Sequence, residues 1–202
     1  GAAHGLGKGI AICLAKAGAH VVINDICEPK EAEDALSQVE TAEKPAVFMQ
    51  ADVSEEAEVT RLFQHIKERF GKLDILINNA GIHRRAPLEE MSEADWRQVI
   101  DLNLNAAFIV SKYVAQGMIA RRQGKIINIT SLMAEGARSS TGNYAAAKGG
   151  LKMLTKAMAT EWGKFNIQVN AIGPGYFKTE LTQSLAADPQ FDAWVKQRVP
   201  AG

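Results

Sequence analysis

The stretch GAAHGLGKGIAICLAKAGAHVVIND, residues 1–25, decides how the rest of the chain is read. Gly1, Gly5 and Gly7 stand at the head of an apolar-periodic segment, 6–17, that reads as a helix, with Gly18 as its C-terminal cap. A short apolar run follows at 20–25 and reads as a buried strand. A glycine loop that opens a helix gathers free backbone N–H groups and the positive end of the helix dipole at one point, which suits a pyrophosphate. The spacing is G-x-x-x-G-x-G and no Lys-Ser/Thr follows, which disfavours a triphosphate-binding loop. Tight turns also use glycine, so the loop alone leaves both readings open.

Outward from this unit the same alternation continues. Segment 29–40 is helix-prone and opened by Pro29, and 46–52 is a second strand. A helix opens at Ser54, runs to about Phe70 and is ended by Gly71. Segment 73–81 is a third strand running into a loop, and Ser92 with Asp95 forms a capping box for a long helical region through about Arg121. A fourth strand (124–130), a polar loop, a strong helix (144–164), a fifth strand (166–172), a further loop and a last helix (188–198) complete the chain. Strands separated by helices imply right-handed crossovers, and hence an α/β fold with a parallel sheet and helices on both faces. The Val- and Ile-rich strands suit a sheet covered on both sides. With 202 residues and no internal linker or repeat, the whole of 1–202 reads as one domain.

Bulk composition narrows the function classes. Hydrophobic residues make up 47% and charged residues 23%, an ordinary globular balance. Lys plus Arg and Asp plus Glu both number 23, so the formal net charge is zero, which argues against nucleic acid as a partner. No apolar run approaches the roughly 18 residues of a membrane span. Cys13 and Cys27 are too few for a disulfide framework, which favours a reducing compartment. His4, His20, His65 and His83 are scattered, and no metal site is expected.

The unusual polar residues all follow strands, at the carboxyl edge where doubly wound sheets bind ligands: Asp25, Asp52, the run 78–81, Ser131 and 174–179. Asp25 comes 18 residues after Gly7, where a carboxylate accepts both hydroxyls of an adenosine ribose and repels a 2′-phosphate. Helix capping is the alternative for it. No Arg or Lys immediately follows it, and His4 occupies the loop position where a base would help a phosphate, so NAD is favoured with NADP as the alternative. Asp52 reads either as a contact to the adenine amino group or as a helix cap.

Tyr144 and Lys148 are four apart and share a helix face. A nearby ammonium favours the phenolate, bringing tyrosine from its usual pKa of about 10 towards neutral and making it a usable acid or base. A plain surface pair is the alternative. Ser131 reads as a hydrogen-bond donor to a substrate oxygen or as a loop cap. Asn103, among apolar helix neighbours, reads by itself as a structural hydrogen-bonding amide.

The glycine loop, Asn78-Asn79-Ala80-Gly81, Asn103, Ser131, Tyr144, Lys148 and Pro174-Gly175 together resemble the short-chain dehydrogenase/reductase family, across essentially the whole chain. The resemblance implies a Rossmann-type fold and a catalytic set of Asn103, Ser131, Tyr144 and Lys148. Tyr144 would exchange the substrate hydroxyl proton while hydride passes to or from a nicotinamide. Lys148 would lower the Tyr pKa and hold the nicotinamide ribose, Ser131 would polarise the substrate oxygen, and Asn103 would support a proton-relay water. The implied cofactor contacts are Gly1, His4, Gly5, Leu6 and Gly7 in the loop, then Asp25, Asp52 and Val53. Asn79, Ala80, Gly81, Tyr144, Lys148, Pro174, Gly175, Phe177 and Thr179 complete them.

Segments 80–88, 166–182 and 191–202 are similar to those of gluconate 5-dehydrogenases, which interconvert gluconate and 5-ketogluconate. Arg84 and Arg85 lie where a guanidinium would bind a sugar-acid carboxylate, and Glu135 and Arg138 where they would meet sugar hydroxyls, with solvated loop charges as the alternative. Ser131 and Tyr144 would touch the same substrate. Deoxy-ketogluconate or other polyol dehydrogenases are the nearest alternative, acyl-carrier reductases a weaker one, and a non-catalytic NAD-binding protein the alternative from another class. The resemblance further implies a cytoplasmic homotetramer assembled through the two long helices. It also implies that the first strand and a C-terminal unit are missing, so the sheet should have about five strands with a gap where the first would lie.

Overall fold

Parallel pairing follows from the crossover helices, and the computed structural model, which describes residues 1–40, 44–177, 179, 182 and 187–200, has it throughout. Strand β1 (Val22–Asp25) pairs in parallel with β2 (Val47–Gln50), and β3 (Ile75–Asn78) pairs with β4 (Gly124–Ile129), which pairs with β5 (Ile167–Ile172). Among the described residues these form two sheets, β1-β2 and β3-β4-β5, with no ladder between β1 and β3. The expected gap is therefore real. A cleft of about 580 Å³ separates the two sheets, bordered by Val22 and Asn24 on one side and Ile75 and Ile77 on the other.

Helices α1 (Gly5–Lys16), α2 (Glu33–Val39), α3 (Glu56–Phe70), α4 (Glu93–Ile100), α5 (Ala106–Arg121), α6 (Gly142–Trp162) and α7 (Pro189–Lys196) connect the strands or follow them. Each half-sheet has its own core. Ala11, Ala15, Ile23, Ala35 and Val39 bring together α1, β1 and α2, whereas Val114, Met118, Ile126, Met158, Ile167 and Val169 join α5 and α6 to β4 and β5. Burying each such side chain removes it from water at about 25 cal/mol per Å².

Local signals set most boundaries. Gly71 ends α3 with φ at 72°, and the Ser92 hydroxyl accepts the Asp95 N–H at 3.0 Å to start α4. Three details differ from the sequence expectation. Pro29 opens a 3-10 turn, Pro29–Ala32, before α2, because Glu28 and Glu31 form a reciprocal capping box there. Glu55, rather than Ser54, is the N-cap of α3, because Ser54 is held back by Asp52. The long helical region contains a π-helical turn, Asp101–Asn105, between α4 and α5. Such turns concentrate at functional sites, and this one carries Asn103.

Candidate active site

The carboxyl ends of β1, β3, β4 and β5 lead into one pocket of about 300 Å³. Its floor begins at the glycine loop. A Cβ at Gly7 would come within 2.0 Å of the Gly1 carbonyl and 2.6 Å of Asn79 Nδ2, so only glycine lets the loop close on the 78–81 turn. Asn79 Nδ2 donates to that Gly1 carbonyl at 2.5 Å. His4, Gly5 and Leu6 then line the pocket directly at the start of α1. This cradle of small residues and a helix N-terminus fits a dinucleotide pyrophosphate.

Asp25 ends β1 and lines the same pocket. It accepts N–H groups from Ala3 at 2.9 Å and Ile26 at 2.8 Å. Burial opposes its ionisation, and these N–H groups counter it by favouring the carboxylate. A fixed negative charge therefore stands at the ribose end.

The other end is built on β4, α6 and the loop after β5. Ser131 follows β4, and its hydroxyl caps a short 3-10 turn by accepting Met133 N–H at 3.2 Å. Tyr144 lies in the first turn of α6 and Lys148 one turn on. The Lys148 Nζ is buried, donates to the Ile129 carbonyl at 2.7 Å, and lies 5.6 Å from the Tyr144 ring centre. Burial lowers its pKa from 10.5 to about 8. Ala80, Gly81, Pro174, Gly175, Phe177 and Thr179 close the walls around these groups.

One electrostatic expectation is reversed. Burial pushes the Tyr144 phenol above its ordinary value, and the neighbouring Ser131 hydroxyl opposes this. The Lys148 ammonium, 5.6 Å from the ring centre, donates to the Ile129 carbonyl rather than to the phenol. Tyr144 is thus set as a protonated phenol, ready to donate, and needs a bound partner before it becomes a base.

Several further expectations are corrected. Asn103 is buried, donates to the Ile82 carbonyl at 2.8 Å and accepts Ile82 N–H at 3.0 Å. It clamps the chain just beyond Gly81 and borders the cleft between the sheets rather than this pocket. Asp52 accepts both the N–H (2.9 Å) and the hydroxyl (2.6 Å) of Ser54, and Val53 borders the cleft between the sheets rather than the pocket. Of the two arginines, Arg85 lines the pocket. Arg84 turns to α4, with its guanidinium 3.1 Å from Gln98 and 3.8 Å from Asp95. Glu135 is drawn away by an ion pair with Lys152 on α6. Arg138 reaches the pocket wall but is held by the Tyr176 hydroxyl at 3.2 Å and packed 4.6 Å from Phe191 and 5.0 Å from Trp194. Its charge is spent on an aromatic cage around α7.

The sequence reading missed His83. Its ring lines the pocket and stacks on Tyr144, with centres 4.2 Å apart and planes 13° from parallel. A histidine two residues beyond the 78–81 turn, in a segment already suspected of touching substrate, was the available signal.

Comparison with known proteins agrees with this geometry. The family model described as short chain dehydrogenase matches residues 1–190. A 2-dehydro-3-deoxy-D-gluconate 5-dehydrogenase of Formosa agariphila is 48% identical over 202 residues, all of this chain and 76% of that protein. A 5-keto-D-gluconate 5-reductase of Escherichia coli is 43% identical over 201 residues, covering 100% of this chain and 79% of that one. Among solved structures, a gluconate 5-dehydrogenase from Burkholderia cenocepacia, in complex with NADP and tartrate, superposes with a TM-score of 0.94 at 42% identity, covering 100% of this chain and 79% of that one. With its family match, its parallel sheets and a glycine loop facing a Ser-Tyr-Lys cluster, the chain belongs to the short-chain dehydrogenase family.

Proposed function

We propose that the protein is a nicotinamide-dependent oxidoreductase that interconverts a secondary alcohol and a ketone on a sugar acid, with gluconate and 5-ketogluconate as the pair. The observation that carries this reading is the gathering of Ser131, Tyr144 and Lys148 in one pocket that also holds Arg85. The bound nicotinamide supplies or accepts the hydride. Ser131 hydrogen-bonds the reacting oxygen, and Tyr144 gives it a proton in reduction and takes one in oxidation. Lys148 orders the nicotinamide ribose through its buried ammonium. Arg85 offers two parallel N–H bonds to the substrate carboxylate, which Arg84, engaged with α4, does not. The 48% identity to a 2-dehydro-3-deoxygluconate dehydrogenase favours that substrate as the second reading.

NAD is the preferred cofactor in this reading, because the ionised Asp25 repels a 2′-phosphate. NADP in the Burkholderia relative makes the comparison of both cofactors part of the test. The assembly is a homotetramer packed through α5 and α6, which expose Phe108 and Met153. Its free Cys13 and Cys27 suit the reducing cytoplasm.

The test is a panel of sugar acids and polyols with each cofactor, followed by nicotinamide absorbance. Tyr144→Phe is expected to abolish turnover with cofactor binding retained. Cofactor binding without turnover on every sugar acid, or undiminished turnover in Tyr144→Phe, overturns the proposal. Light scattering of the protein gives its assembly state.

A further inference from the structure

Three consecutive residues after the 78–81 turn are pinned one by one. Ile82 is held at both N–H and C=O by Asn103. His83 lies flat on Tyr144. The Arg84 carbonyl accepts from Asn143 Nδ2 at 3.0 Å, and Asn143 Oδ1 in turn accepts the Tyr144 N–H at 2.7 Å. Asn103 and Asn143 are both buried, at 1% and 0% exposure. The imidazole is therefore not a loose pocket side chain. It is fixed on the phenol from both sides along the backbone, by groups that belong to the π-helical turn and to the first turn of α6.

The imidazole also gives up hydrogen bonding to sit there. Its Nδ1 is buried and has no hydrogen-bond partner among the described residues. A buried nitrogen without a partner is costly, and such costs persist mainly where function retains them. Three charged or titratable groups meet here: Arg85 beside the imidazole, and Tyr144 and Lys148 beyond it. Burial, and secondly Arg85, lower the His83 pKa to about 4, so the ring is neutral near physiological pH and adds no third cation around the phenol.

We propose that His83 is a positioning residue for proton transfer: a neutral aromatic plate, clamped by Asn103 and Asn143, that fixes the plane of the Tyr144 ring so that its hydroxyl points at the reacting oxygen. It rests on the reading of Tyr144 as the proton-transfer residue. A phenol held only near its hydroxyl can still swing, whereas a stacked ring restricts it. Misplacement of a reacting group by about 1 Å can cost on the order of a hundredfold in rate, so a flat support matters to kcat more than to binding.

The test compares His83→Phe, which keeps the plate and removes both nitrogens, with His83→Gln, which keeps polarity and removes the plate. Both are read beside wild type and Tyr144→Phe for kcat, KM for the sugar acid and cofactor affinity. His83→Phe is expected to keep kcat within about threefold, and His83→Gln to lose about tenfold or more in kcat with KM and cofactor affinity within about threefold. Equal loss in both variants, or no loss in His83→Gln, overturns the positioning role. A loss in His83→Gln expressed only in KM overturns it as well. If Tyr144→Phe remains active, the underlying reading of Tyr144 has failed. If Tyr144→Phe is inactive and His83→Gln is unimpaired, only the positioning role has failed.

Discussion

Replacing Lys148 with methionine should stabilise the fold while removing turnover. The ammonium is 3% exposed, and burial is the cause that lowers its pKa from 10.5 to about 8, with no counter-charge offsetting it. That change corresponds to about 3 kcal/mol against the charged form. Methionine keeps an unbranched stem and discards the charge. The Ile129 carbonyl then loses the 2.7 Å bond from Nζ, at a cost of about 1–3 kcal/mol. The net gain near neutral pH is between zero and about 2 kcal/mol, or a rise of up to about 6 °C in Tm for a chain of this size. The pH dependence has a definite sign. Between about pH 8 and 10.5 the unfolded chain still holds the lysine proton that the native site has released, so wild type gains stability as pH rises through this window. The advantage of the variant should shrink across it and vanish above. Thermal melts of both proteins from neutral to alkaline pH measure this directly. A variant less stable than wild type by more than about 1 kcal/mol at neutral pH, or a difference in Tm that ignores pH, would refute the idea that the site carries lysine at the expense of stability.

Other expectations follow from particular contacts. Arg85→Ala should raise KM for a sugar acid by about ten- to a hundredfold through loss of the charged pair, whereas Arg84→Ala should leave KM within about twofold; steady-state kinetics with matched acid and neutral substrates separates them. Gly81→Ala would bring a Cβ to 2.4 Å from Asn103 Oδ1 and 3.6 Å from Lys148 Nζ, so cofactor affinity measured by calorimetry should fall at least about tenfold. His83, lowered from 6.5 to about 4 in the native state, contributes stability that is complete above about pH 6.5 and lost as pH falls towards 4, because only the unfolded chain binds its proton in that range. Denaturant melts of wild type and His83→Phe should therefore converge on acidification less steeply for the variant, and parallel curves would contradict the assignment.

The layout of strands and helices was legible because the strands are short apolar runs and helices between them carry readable caps, as at Gly71 and Ser92. What escaped depends on three-dimensional competition for polar groups. Glu135 and Arg84 sit in the right segments, yet Lys152 on α6 and Gln98 and Asp95 near α4 claim them first. Arg138 is claimed by aromatic rings some forty to sixty residues away, at Tyr176, Phe191 and Trp194. The direction of the Tyr144 shift escaped because a spacing of four residues puts an ammonium on the same helix face but does not say how deeply the phenol is buried. A π-helical turn leaves no periodic trace, so the clamp of Asn103 on Ile82 was visible only as an amide in apolar company.

The division of the strands into two ladders has a thermodynamic corollary. The core around Ile23 and the core around Ile126 are separate, and the free edges of β1 and β3 both border the cleft. A third cluster, Leu62 and Ile66 of α3 with Val22, Met49, Phe63 and Leu73, packs against both half-sheets. The pocket draws its walls from both, Asp25 from one and Ser131, Tyr144 and Lys148 from the other. Any dinucleotide long enough to touch both walls is therefore a tie between them. Its binding energy adds to the link through α3, and amide exchange in β1 and β4 should slow together as the ligand saturates.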